Sequence, residues 1–193
     1  MRILLFAFVA GCGGSTASSV DGAAGTEGMS GETTGSEDRL YPLEVGRTWT
    51  YDITSTYGSC PAGRHDTRVI STGTTDGRAT FEVASFCGLT GHTSVAGNVV
   101  EEYYDWGPTG WMRSLDEPVA DGHRWTTTNG SATFDMTYSK SDDVAGYTDC
   151  WKVTQDVSYT SYWIYCRGVG LVTYEIIDLA GGTIRAELQS KSF

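Results

Sequence analysis

From Trp49 onwards apolar and polar positions alternate. Trp49, Tyr51 and Ile53 are interleaved with Thr50, Asp52 and Thr54, the period of two that marks a half-buried strand. Residues 64–72 and 79–86 flank Asp76-Gly77, a two-residue type I′ turn pair; a strict register about it sets Thr72 opposite Phe81 and Ile70 opposite Val83. Two further strands, 98–106 and 110–115, are expected around a turn at Gly107-Pro108. Residues 124–128 and 131–139 flank Asn129-Gly130, and a two-residue register there places Trp125 opposite Phe134 and Thr127 opposite Ala132. In that hairpin Ala132, Phe134, Met136 and Tyr138 form the inward face, and Thr133, Asp135 and Thr137 the outward one.

The last third reads as a meander of 147–157, 160–167, 171–177 and 183–190, turning at Ser158, Gly168-Val169-Gly170 and Gly181-Gly182. Symmetry about Ser158 brings Cys150 opposite Cys166, Trp151 opposite Tyr165 and Val153 opposite Trp163. No stretch has a 3.6-residue apolar period of helix length. The chain is therefore expected to be all-β: an antiparallel meander of about ten strands forming a sandwich, a barrel or a half-open curved sheet. Within it Pro42-x-x-x-Gly46-x-x-Trp49 recurs 76 residues later as Pro118-x-x-x-Gly122-x-x-Trp125, the spacing expected of a duplicated meander in which each Pro-Gly turn delivers a Trp to a core strand.

The N-terminus breaks the pattern. A positive Met1-Arg2 end precedes an apolar run that closes on Val9-Ala10-Gly11-Cys12, and these four residues resemble the lipobox of bacterial lipoproteins. The resemblance implies that residues 1–11 are a signal peptide and that Cys12 is acylated, which would hold the protein on a bilayer with no spanning helix. It also implies an outer-membrane location facing the periplasm or the cell surface, because Gly13 stands where an Asp would favour inner-membrane retention. Residues 13–39 are almost wholly Gly, Ser, Thr, Ala and acidic side chains, with only Val20 and Met29 of any hydrophobic size, so 12–39 is expected to be a disordered tether and 40–193 a single β domain. A flexible tether of 27 residues would hold the domain roughly 30 Å from the lipid on average.

Without Arg2 the chain carries 12 basic against 24 acidic residues, which disfavours nucleic acid as a partner. Four cysteines remain after Cys12, an even number in an exported domain, and read as two disulfides. The register about Ser158 pairs Cys150 with Cys166 and leaves Cys60 with Cys87. No C-x-x-C, H-E-x-x-H, G-x-S-x-G or phosphate-loop pattern occurs, and no metal or cofactor is expected. Asp142, Asp143 and Asp149 read as an acidic loop, and His65, His92 and His123 as solvated loop histidines. The adjacent acids Glu101-Glu102 point to opposite faces of a strand and read as surface residues.

Aromatic residues are the remaining candidates. Tyr104, Trp106 and Trp111 flank the Gly107-Pro108 turn, where exposed rings could stack on a glycan, hold an apolar ligand or contact an envelope protein, whereas Trp49, Trp125 and Trp151 are assigned to the core. Tyr41-Pro42-Leu43, Gly46, Trp49 and Tyr51, with Gly168-Val169-Gly170-Leu171-Val172 and Glu175, resemble the two ends of a loose group of uncharacterised bacterial lipoproteins with β-rich domains. That resemblance implies location and fold rather than an activity. The expectation is a membrane-anchored envelope lipoprotein whose β domain is a non-enzymatic binding or scaffold module. The alternative is a hydrolase of cell-envelope material using Asp105 or Glu102 in a cleft.

Overall fold

Alternation of apolar and polar residues produces twelve antiparallel strands: β1 (Thr48–Ser55), β2 (Gly63–Thr75), β3 (Arg78–Ala84), β4 (Thr90–Ala96), β5 (Val99–Tyr104), β6 (Gly110–Leu115), β7 (Arg124–Thr128), β8 (Thr133–Lys140), β9 (Cys150–Asp156), β10 (Thr160–Cys166), β11 (Gly170–Ile177) and β12 (Thr183–Lys191). The computed structural model describes residues 36–56, 60–105, 108–156, 160–177 and 182–193. The signal peptide, Cys12, the tether as far as residue 35, Trp106 and the Ser158 turn lie outside the described residues.

All twelve strands belong to one sheet, in the order β6-β5-β4-β3-β2-β1-β12-β11-β10-β9-β8-β7. Every neighbour is the next strand in sequence except β1 and β12, which join the two ends of the meander. Strand twist curls so wide a sheet until its edges approach. The result is a nearly closed barrel with its seam between β6 and β7. No ladder crosses that seam among the described residues; instead Arg113 of β6 donates its N–H to Thr127 Oγ1 (2.7 Å) and accepts at its carbonyl from Trp125 Nε1 (3.1 Å).

The inward positions of each strand form the core. Trp49, Tyr51 and Ile53 are buried, as are Phe134, Met136 and Tyr138. The registers agree with the period-two reading except where an extra residue enters. At the β2–β3 turn Asp76 and Gly77 both take positive φ (48° and 76°), and Thr72 pairs with Phe81 as the turn chemistry requires. The expected pairing of Ile70 with Val83 is corrected: Val69 pairs with Val83, because a bulge absorbs Ile70 between Val69 and Ser71. Val69 is consequently fully buried and Ile70 is turned out, 46% exposed.

A second correction concerns β7–β8. Its closing pair is Thr128–Thr133, so the loop has four residues, and Trp125 lies opposite Met136 and Thr127 opposite Phe134. The cause is Asn129, whose side-chain oxygen accepts from the N–H groups of Ser131 (3.0 Å) and Ala132 (2.9 Å), donors that a two-residue turn would have left to the ladder. A shift of two preserves the inward and outward faces, so Trp125 stays buried while Ala132 moves into an exposed loop. Between β9 and β10 the pairs Cys150–Cys166, Trp151–Tyr165 and Val153–Trp163 are those read from symmetry about residue 158. Disulfides join Cys150 to Cys166 and Cys60 to Cys87. Strand β4 is additional to the eleven segments read from the sequence and makes the twelfth strand.

The repeated Pro-Gly-Trp motif forms the same turn twice. Gly46 N–H donates to Val69 O and Gly122 N–H to Tyr138 O, both at 2.9 Å, while Val69 N–H returns to Arg47 O and Tyr138 N–H to His123 O. Both glycines have positive φ (92° and 76°), and the two turns open β1 and β7, the first strands of two six-strand halves. The chain ahead of β1 crosses one end of the barrel. Leu40 N–H donates to Asn98 Oδ1 (3.0 Å) on the β4–β5 side, and Gly168 N–H donates to Arg39 O (2.9 Å) on the β10–β11 side. Leu40 and Leu43 are buried beneath that crossing, so this end of the barrel is plugged.

Candidate functional site

Inside the barrel the side chains form two packed clusters, one around Trp49, Tyr51 and Val172 and the other around Val100, Trp125 and Tyr138. Between them is a cavity of about 170 Å³. Its walls are mostly rings and aliphatic groups, including Tyr41, Phe86, Met112, Trp163 and Tyr165. A barrel of this strand number has room for more than its own side chains, and the remainder is cavity.

Glu102 is the ionisable side chain that defines the site. It sits half-buried on β5 opposite Thr93 of β4 and Met112 of β6, on the inward face with Val100, and lines the cavity. Burial in these apolar walls pushes its pKa from 4.5 up to about 7, and the Ser114 hydroxyl beside it draws it partly back. The tyrosines around it respond in kind. Burial raises the pKa of both Tyr41 and Tyr165, and the Glu102 charge raises each further. Other interior donors are satisfied, Tyr51 Oη by Leu171 O at 2.8 Å and Trp49 Nε1 by Val169 O at 2.6 Å, although Ser161 Oγ on β10 is buried without a partner. The hydroxyls of Tyr41 and Tyr165 have no hydrogen-bond partner among the described residues, although both residues line the cavity. Ser85 Oγ and Ser114 Oγ, on two other walls, are buried without a hydrogen bond of normal geometry. Polar groups in this state are uncommon; two of the four among the described residues, Ser85 Oγ and Ser114 Oγ, line the cavity, and the others, Arg39 Nε and Ser161 Oγ, do not.

The aromatic patch expected at the β5–β6 turn is divided by the structure. Tyr104 is corrected from exposed to buried: it shares the inward parity of Val100 and Glu102. Its ring lies between two glycines that leave it room, since a Cβ on Gly110 would stand 2.5 Å from Tyr104 Oη and one on Gly130 2.8 Å from the ring. Trp111 is on the outer face, its ring 5.2 Å from that of Tyr103, with the Arg78 guanidinium 4.7 Å above it and Nε1 donating to Asp76. Trp106 lies outside the described residues. Tyr104 and Trp111 therefore do not share a surface. Trp151, assigned to the core, is half-buried, with the Lys140 ammonium 4.4 Å from its ring.

Glu101 and Glu102 do point to opposite faces, but only Glu101 is outside, paired with Arg78 and Arg113. The reading of Glu102 as a surface acid is corrected by its inward parity. Asp105, named with it for hydrolysis, is exposed. Asp149 is an ion-pair centre, bound by Lys140 and by Arg167 (2.8 Å), which hold its carboxyl down at about 2. His123 contacts Asp116 (3.0 Å) and stacks on Trp125. His92 is exposed on β4. The parity of β5 alone could have nominated Glu102, because Val100 and Tyr104 flank it at positions two apart.

No protein-family model matches the chain, and no curated protein matches it. A crystal structure of a proposed lipoprotein from Parabacteroides distasonis is similar over 79% of this chain and 98% of its own, with 13% sequence identity and a TM-score of 0.43. At that level the likeness carries no argument about this chain.

Proposed function

We propose that the barrel is a non-enzymatic binding module for a small, largely apolar molecule with one polar group, displayed on the outer membrane through a lipid on Cys12. The observation that carries the binding half is the interior cavity, whose apolar walls converge on a carboxyl and on hydroxyls left without protein partners. An apolar cavity of about 150 Å³ accepts benzene, so 170 Å³ suits a small aromatic or short aliphatic molecule rather than a lipid or a glycan chain. A hydrolase needs more than Glu102, and the structure brings neither Asp105 nor Glu101 to it. The anchoring half rests on the Val9-Ala10-Gly11-Cys12 resemblance.

Gly91 provides the test of binding. It lies on β4 opposite the buried Val83, on the cavity face, and a Cβ placed on it meets nothing within 4 Å. Gly91→Leu should push its side chain into the cavity and abolish binding of a small aromatic probe, with no loss of thermal stability. Unaltered probe affinity in a folded Gly91→Leu protein would reject the cavity as the binding site. Cys12→Ala should remove fatty-acid label and release the protein from membranes washed with carbonate; a variant that keeps its label would reject the anchor.

A further inference from the structure

Glu102 has no cationic partner among the described residues. The basic side chain next to it on the adjoining strand, Arg113, directs its guanidinium to the outer face, where it meets Asp116 (3.0 Å) and Glu101 (3.4 Å). A carboxylate enclosed by apolar walls without a counter-charge is a destabilising arrangement, relieved either by taking up a proton or by a cation brought in from outside the protein. We propose that the cavity takes a small organic amine whose ammonium group pairs with Glu102 and whose apolar body lies among the rings of Tyr41, Phe86, Trp163 and Tyr165. This rests on the binding reading above and names the class of ligand.

Three features select for an amine. An ammonium has three donors and no acceptor, so it can be shared between the carboxylate and the Ser114 hydroxyl beside it. Ring faces attract cations within about 6 Å, and the cavity walls are rich in them. An anionic ligand would be repelled by Glu102, and an alcohol would leave its charge uncompensated. The domain as a whole, with 19 acidic against 11 basic residues from 40 to 193, also favours the approach of cations.

The pairing makes binding depend on pH. The charged and titratable groups that line the cavity with Glu102 include His92 on β4 and Arg113 on β6, with Tyr41 ahead of β1, Tyr51 on β1 and Tyr165 on β10, and these three tyrosines stay neutral well past neutral pH. Glu102 itself changes charge between mildly acidic and mildly basic solution, and Glu102→Gln separates its contribution from that of any other group at the cavity.

The experiment titrates phenethylamine, phenethyl alcohol and 3-phenylpropionate, matched in size, into the full chain carrying Cys12→Ala, so that neither lipid nor detergent competes for the cavity. At about pH 8 the amine should bind at least about tenfold more tightly than the alcohol, the scale of one charge-assisted hydrogen bond, and this preference should disappear at about pH 5.5. Glu102→Gln should remove the preference at both pH values while leaving alcohol affinity within about twofold. Equal affinity for amine and alcohol at the higher pH, tighter binding of the acid, or an amine preference that survives Glu102→Gln overturns the inference while leaving the cavity a binding site. If none of the three binds, the binding reading falls as well. Ser114→Ala, which keeps the carboxyl, should weaken the amine and not the alcohol; the wild-type pH profile decides the matter should Glu102→Gln not fold.

Discussion

Glu102 destabilises the folded barrel whenever it is ionised. Its pKa is about 7 in the barrel against an ordinary value of 4.5. The stability associated with its protonated form is therefore full below pH 4.5 and is lost as pH rises through 7. A displacement of that size corresponds to roughly 3 kcal/mol, a sizeable part of the roughly 5–15 kcal/mol of a typical domain. Glu102→Gln, uncharged throughout, should raise the denaturation midpoint at about pH 8 and change it little at about pH 4.5. Equal shifts at the two pH values would show that the carboxyl is solvated in the folded state. Trp125 gives the complementary residue-scale prediction. Its ring is buried 4.7 Å from that of Tyr138 and its indole N–H holds the seam, whereas Trp111 lies on the outer face. Trp125→Ala should cost about 3–5 kcal/mol and Trp111→Ala far less, measured by denaturant midpoints under oxidising conditions. The reverse order would place the core on the wrong face of β6 and β7.

At the scale of the strand, legibility depended on what each inward position had to fill. β1, β8 and β10 put large apolar residues inside, so their alternation was visible in sequence and the Cys150–Cys166 register followed from counting residues. β4 was invisible for a physical reason. Its inward residues are Gly91, Thr93 and Val95, and two of these, Gly91 and Thr93, line the cavity, where no large side chain is required. A strand facing empty space has no apolar signal, so the wall of the site was the least readable part of the fold. Registers failed for a different reason. The Ile70 bulge adds one residue to β2 and the Asn129 loop shifts the β7–β8 pairing by two without changing faces, and both depend on local backbone hydrogen bonding that turn dipeptides alone do not specify. The aromatic candidates went astray through proximity in sequence. Tyr104 and Trp111 flank one turn but lie on opposite sides of the sheet.

For the molecule as a whole, the sheet is drawn together at two places, β1 with β12 and β6 with β7, which bound the two halves opened by the Gly46 and Gly122 turns. The two junctions differ in strength. β1 and β12 pair along a ladder from Trp49–Lys191 to Ser55–Ile184, but β6 and β7 meet through the Trp125 indole and the Thr127 hydroxyl, both bonded to Arg113. Thr127 is buried, so its replacement by Val leaves the Arg113 N–H without its acceptor at a site that water does not readily reach. An unsatisfied buried donor costs about 1–3 kcal/mol. Thr126, one position away, faces outward and bonds Asp135, and its replacement by Val disturbs only an exposed contact. Thr127→Val should therefore lower the denaturation midpoint more than Thr126→Val and accelerate amide hydrogen exchange along β6 and β7, with β1 and β12 unchanged. If β1 and β12 lose protection together with β6 and β7, the barrel opens as one cooperative unit and the seam is no weaker than the ladder opposite it.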